Sequence, residues 1–329
     1  MRLGILIPLV AALLFSASGS AQEPIIAPGA RLETLFSGGV FTEGPAAAPD
    51  GTIYFSDITG SARSREAGHL MRYDPRTGEV IVYRSPSGMA NGIAFDLEGR
   101  MIVAEGADFG GRRVTRTDMA SGKSERLATH FGGRRLNSPN DVTVDARGRI
   151  WFSDPRYVGD EPIEQPVQGV YRIDPDGSLH LVVADAGKPN GLAVSPDQKT
   201  LYVASTDNGA TGALPEGMSP RALPLSILAY DLGEDGSARL REVLVEFGEE
   251  GFADGLTVDL AGNLYCGCGP LGVRVWSPDG RELATIPTPA SATNVEFGRG
   301  ADRRTLYVTA GGALHRIRLR TEGFHPADE

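Results

Sequence analysis

The chain is poor in several things, and each shortage excludes a class. It has 2 cysteines in 329 residues, too few for a disulfide scaffold or a thiolate zinc site. Cys266 and Cys268 are spaced i, i+2 and would share one face of a strand, where a bridge is strained; they read as small buried residues. Basic residues are outnumbered, 32 Lys and Arg against 42 Asp and Glu, a net charge of −10. That balance argues against a nucleic-acid partner, which needs a basic footprint. After the first 21 residues no apolar run reaches the 18 or so a membrane helix needs. There is no phosphate loop, no G-x-G-x-x-G opening a helix and no G-x-S-x-G elbow. The five histidines (69, 130, 180, 315 and 325) show no metal-binding spacing.

Glycine (43) and proline (22) are plentiful, which predicts many turns and many short strands. The N-terminus has Arg2, an apolar run over residues 3–15, and small residues Gly19 and Ala21 at the −3 and −1 positions of a cleavage site. This is the pattern of a secretory signal. The expectation is a leader over 1–21, removed to leave a secreted or periplasmic protein with no membrane contact, and one domain over 22–329.

One repeat occurs six times. The units start at Glu43 (EGPAAAPDGTIYFSD), Asn91 (NGIAFDLEGRMIVAE), Asn140 (NDVTVDARGRIWFSD), Asn190 (NGLAVSPDQKTLYVAS), Asp254 (DGLTVDLAGNLYCGC) and Asn294 (NVEFGRGADRRTLYVT). In four units a glycine falls eight positions after the start: Gly51, Gly99, Gly148 and Gly262. Each unit reads as strand, Asp- and Gly-rich turn, strand, and then usually two further strands. Four antiparallel strands in 40–50 residues is the size of a propeller blade. The last unit lacks a fourth strand, and residues 30–39 (ARLETLFSGG) have that character. The predicted fold is all-β: a six-bladed β-propeller whose N-terminal strand closes the last blade. Residues 208–225 in the fourth unit read as an inserted loop over one face.

The first strand of each blade lines the axis of a propeller, so the unit starts should crowd one mouth. Glu43, Asn91, Asn140, Asn190, Asp254 and Asn294 all bear side-chain oxygens. Asn and Asp also make good turns, but a Glu does not, and six aligned oxygens call for a shared partner. A hard divalent cation fits: calcium first, with zinc or magnesium as alternatives. Asp57, Glu105 and Asp154 end second strands, as supports for such a site or as turn residues. Arg156 and Tyr157 lie on a polar loop after Ser153 that either overhangs the mouth or is ordinary surface. Asn91, Asp154, Arg156 and Tyr157 are the candidate substrate contacts.

The stretch RRLNSPNDVTVDARGRIWFSDPRY, with NGIAFDLEGRMIVAE before it and KPNGLAVSPDQKTLYVAS after, resembles the gluconolactonase family, which also contains senescence marker protein and luciferin-regenerating enzyme. The resemblance implies a six-bladed propeller with one divalent cation at the channel mouth. It implies that Glu43, Asn140, Asn190 and Asp254 hold that ion, and that Asp254 transfers the proton. Ser138 stands where the animal members have an Arg that contacts sugar. The function expected is a metal-dependent hydrolase opening a sugar-derived lactone, its partner a small-molecule lactone. The alternatives are a phosphotriesterase-type hydrolase on the same site and a non-catalytic propeller module with a structural cation.

Overall fold

The turn between the first two strands of a blade is built by two residues. An aspartate accepts backbone N–H groups ahead of it, and a glycine takes the left-handed conformation that closes the turn. In the second blade Asp96 Oδ1 accepts from Glu98 (3.1 Å) and Arg100 (2.9 Å), and Gly99 has φ 75°. Asp145 with Gly148 and Asp259 with Gly262 repeat the device. The fourth blade has no glycine there. Gln198 adopts φ 62° instead and spends its amide on the Ser195 carbonyl (2.9 Å) and the Ala146 N–H (2.9 Å).

The computed structural model describes residues 24–58, 68–207, 223–248 and 251–328. The expected leader lies outside them, as do residues 208–222 of the expected inserted loop. Six four-stranded antiparallel sheets account for nearly all the strands. Their innermost strands are Thr42–Ala47, Ala90–Phe95, Val142–Val144, Pro189–Val194, Leu256–Val258 and Ala292–Phe297. The first five sheets are meanders in chain order. The sixth takes its outer strand, Glu33–Phe36, from the front of the chain, paired antiparallel with Ala313–Arg318. The six-bladed propeller closed by an N-terminal strand is therefore as the repeats predict.

The apolar core is divided into six clusters, each lying mainly between two neighbouring blades. Ile102, Val142, Phe152 and Tyr171 pack between the second and third, and Trp151, Leu192, Val203 and Leu228 between the third and fourth. Phe55, Tyr73, Tyr307 and Leu314 join the first to the last. Cys266 and Cys268 are free, fully buried thiols between the fourth and fifth.

At the axis the blades approach so closely that side chains do not fit. A Cβ on Gly44 would lie 2.2 Å from the Asn91 carbonyl oxygen, one on Gly92 2.4 Å from Asp141 Oδ1, and one on Gly191 2.1 Å from the Asp254 carbonyl oxygen. The glycine following four of the unit starts is thus required by the ring. Hydrogen bonds cross the same seams. Gly92 N–H donates to the Asn140 carbonyl (2.7 Å), Ser56 Oγ to the Asn91 carbonyl (2.7 Å), and Thr293 Oγ1 to the Thr42 carbonyl (2.8 Å).

Candidate active site

Because every innermost strand begins at the same end of the ring, the unit starts meet there. Glu43 is buried, and its carboxyl is held well above the usual range. Burial is the first cause, followed by the charges of Asp254 and Asp141, while the Gly44 N–H (3.1 Å) and the Asn294 side chain pull against them. Asp254 is half-buried and is likewise pushed up, by burial first and then by Cys266 and Asp141. The Asn190 side chain pulls against them, favouring the charged Asp254 carboxylate. Glu43, Asn190, Asp254 and Asn294, drawn from four blades, therefore lie within electrostatic reach of their neighbours in one group at the axis.

Asn140 and Asn91 are both half-buried. Asn140 N–H donates to the Ser153 carbonyl at 2.9 Å, and its carbonyl accepts from Gly92.

The four expected substrate contacts separate into two kinds. Tyr157 reaches the site: burial pushes its hydroxyl well up, the Asp254 charge adds to this, and the Asn190 and Thr206 side chains pull against it. The hydroxyl also donates to the Lys188 carbonyl at 3.4 Å, and the Lys188 ammonium lies 4.6 Å from the ring centre. Asn91 lies at the mouth as described. Asp154 and Arg156 lie beneath it, 0% and 1% exposed. Asp154 accepts N–H bonds from Asn137 (2.8 Å) and Ser138 (2.7 Å). Arg156 donates to the carbonyls of Asn137 (2.8 Å), Gly159 (3.2 Å) and Glu161 (2.6 Å). Both bind backbone rather than facing the mouth, because a polar loop this close to the axis must satisfy its own carbonyls and amides. Asp57 does the same, accepting from Val40 (2.8 Å) and Phe41 (3.0 Å).

Two features escape the sequence reading. Asp141, next to Asn140, is a further buried carboxylate whose charge acts on Glu43 and Asp254. Burial pushes it up to about 7 against N–H bonds from Val142 (2.9 Å) and Leu192 (3.2 Å) and the Asn294 side chain. Its signal was visible: four units have glycine after the start, and this one has aspartate. Thr206 is the other, its hydroxyl donating to the Ala253 carbonyl beside Asp254.

The donor set suits a hard cation. The groups acting most on Glu43 and Asp254 are burial, other acids and neutral donors, so converging carboxylates are left to be neutralised by something else. Among the described residues no three His, Cys, Asp or Glu side chains form a metal-holding group. A cation here would thus be shared by carboxylate and amide oxygens.

Comparison with known proteins agrees with this architecture. Residues 41–312 match the model of the SMP-30/Gluconolactonase/LRE-like region. A gluconolactonase of Zymomonas mobilis is 30% identical over 318 residues, covering 89% of this chain and 82% of that protein. The pentonolactonase XacC of Haloferax volcanii is 31% identical, covering 82% of this chain and 81% of that protein. A solved gluconolactonase from Xanthomonas campestris superposes with a TM-score of 0.74 at 33% identity, over 90% of this chain and 94% of that one.

Proposed function

Since the chain belongs to the SMP-30/Gluconolactonase/LRE-like family, we propose that it is a lactone hydrolase acting on sugar-derived lactones such as aldonolactones. The observation that carries this reading is the group of Glu43, Asn190, Asp254 and Asn294 at the axis. Relatives similar in sequence are named gluconolactonase and pentonolactonase.

Glu43, Asn140, Asn190 and Asp254 would hold one divalent cation, calcium first. Bound there, it supplies a Lewis acid for the lactone carbonyl and for the negative charge formed on attack. The remaining chemistry belongs to side chains. Asp254 takes the proton of the attacking water as the water oxygen bonds to the carbonyl carbon, and returns a proton to the ring oxygen as the carbon–oxygen bond breaks. The Asn190 side chain, which favours the charged form of Asp254, would orient it. Tyr157, its ring beside the Lys188 ammonium, is near enough to Asp254 to feel its charge. In our reading residues 1–21 are a cleaved leader and the protein works outside the cytoplasm; N-terminal sequencing of the exported form should begin at residue 22.

The test is a panel of lactones read by a pH indicator, with calcium, zinc or magnesium supplied. Aldonolactones should be opened, chelator should stop the reaction, and one of the ions should restore it. Absence of turnover on every lactone with each ion would overturn the reading.

A further inference from the structure

The strands of the last blade end at Arg318, yet the chain continues across the end of the ring opposite the mouth. A cavity of about 80 Å³ runs along the axis, walled by all six innermost strands. It begins beside Asp141 and Asn294, at the level of the mouth group, and ends against Phe324, His325 and Pro326. That is room for several water molecules, at roughly 10–15 Å³ each. Residues 321–328 are seated there by backbone pairing on the fifth and sixth blades. Leu260 N–H donates to the Glu322 carbonyl (2.9 Å), Phe324 N–H to the Val258 carbonyl (3.1 Å) and Gly323 N–H to the Arg303 carbonyl (2.9 Å). A Cβ on Gly323 would lie 2.1 Å from that of Phe297, so only glycine lets the segment come this close. Phe324 is buried in the apolar cluster between the fourth and fifth blades.

His325 is the residue of this segment whose charge the seat opposes. Its Nε2 lies 3.2 Å from the Gly298 carbonyl. A carbonyl only accepts, so that nitrogen carries the one proton of the neutral ring. Burial first, and then the Arg299 guanidinium, push the imidazole down to about 4, against Asp328 and the backbone of Gly298 and Phe297. Asp328 is already ion-paired with Arg299. Glu296 lines the same cavity, but burial keeps it protonated to about 8, so it supplies no counter-charge in acid. The other acids of the surrounding elements are engaged elsewhere: Glu322 with Arg303 (3.2 Å) and Arg304 (2.8 Å), Asp259 with Asn263 (2.8 Å) and Thr321 (2.9 Å), and Asp302 with the Tyr307 hydroxyl (3.1 Å). Away from the seat the imidazole titrates near its ordinary 6.5. Docking is therefore at full strength above about pH 6.5 and weakens as pH falls from there toward about 4.

We propose that residues 321–328 are an acid-released stopper: at neutral pH they close the end of the axial cavity opposite the mouth, and protonation of His325 frees them and opens that end to solvent. The protonated ring would stand as a second cation beside Arg299 and would have to share Asp328 with it, so the segment leaves its seat. The stopper does not depend on which substrate the mouth takes.

Hydrogen exchange of the Gly323 and Phe324 amides, followed by mass spectrometry on the whole protein and corrected for the intrinsic effect of pH, reads the docking directly. Between about pH 7.5 and 5.5 their protection should fall about tenfold, the ratio set by a ring that titrates near 6.5 when free and near 4 when docked. The amides of the innermost strands should keep theirs. His325→Gln retains a donor for the Gly298 carbonyl and takes up no proton, so its protection should stay level; any effect of Glu296, which it retains, would show there. A thiol in the cavity wall reads the opening. Thr143 is half-buried and lines the cavity, whereas Cys266 and Cys268 are fully buried. The reaction of Thr143→Cys with dithiodipyridine, relative to free cysteine, should speed up about tenfold over the same interval, and not when His325→Gln is added. Unchanged protection in the wild type, or an equal fall in His325→Gln, would overturn the release by His325. A thiol rate that ignores a loosened segment would overturn the stopper.

Discussion

Asn137 and Asp154 lock together beneath the channel mouth. The Asp154 Oδ2 accepts the Asn137 N–H at 2.8 Å, and the Asn137 amide returns a bond to the Asp154 carbonyl at 3.2 Å. With the Ser138 N–H on Oδ1, this fixes the bend that delivers Asn140. Asp154→Ala leaves two buried N–H groups without acceptors and should cost about 2–4 kcal/mol, read from denaturant unfolding. Cation affinity should weaken by about 10–100-fold, as when the support of a ligand is removed. Unchanged affinity would mean that Asn140 is not a ligand or that its bend is set by other contacts.

Asp254→Asn should separate binding from chemistry. The amide keeps an oxygen for the ion and for Asn190 but cannot carry the proton, so kcat should fall by about 10²–10⁴ while calorimetry still detects cation binding. Glu43→Gln should do the reverse in emphasis, lowering cation affinity by at least about tenfold through the lost charge. Normal turnover by Asp254→Asn would remove it from the proton transfer.

Glu296 provides a pH test away from the proposed ligands. Burial pushes its carboxyl up to about 8, against bonds from the Phe297 N–H (2.6 Å) and the Thr257 hydroxyl (3.1 Å). The unfolded chain loses this proton near the ordinary glutamate value, whereas the folded chain keeps it to about pH 8. Stability is therefore greatest at low pH and declines across that interval. Glu296→Gln can keep both bonds without the charge. Melting curves from pH 5 to 9 should show the variant gaining on wild type as pH rises; parallel curves would refute the argument.

Phe36 tests the closing strand. Its ring lies 5.7 Å from that of Phe55, across the seam between the last blade and the first. Phe36→Ala should destabilise the ring by roughly 1–3 kcal/mol, measured by thermal or denaturant unfolding.

The ring was readable in the sequence because each blade repeats the same local chemistry. Asp96, Asp145 and Asp259 build one turn three times, and a glycine eight residues past a unit start is visible by eye. The mouth was readable in outline for a related reason: topology alone gathers the unit starts, so Glu43, Asn190, Asp254 and Asn294 needed no side-chain detail. What escaped depends on packing beyond the repeated local pattern. Nothing local distinguishes Asp154 and Arg156, buried beneath a loop, from Tyr157, which reaches the site. Their difference arises from how residues 155–168 fold over residues 136–140 of the same blade. Asp141 sits at the second position of its unit, where four of the other units have a glycine that the close approach of the neighbouring strand demands.

The fastening of the ring has a consequence for its assembly. Thr34 lies opposite His315, and their side chains meet at 3.1 Å across a separation of 281 residues. The outer edge of the last sheet must wait for a partner synthesised at the opposite end of the polypeptide. Five blades can form in order as the chain emerges, but the circle stays open until translation is nearly complete. Loop closure over that span makes the final docking a slow, late event in folding, and interrupted synthesis would leave an exposed sheet edge prone to pairing with other chains.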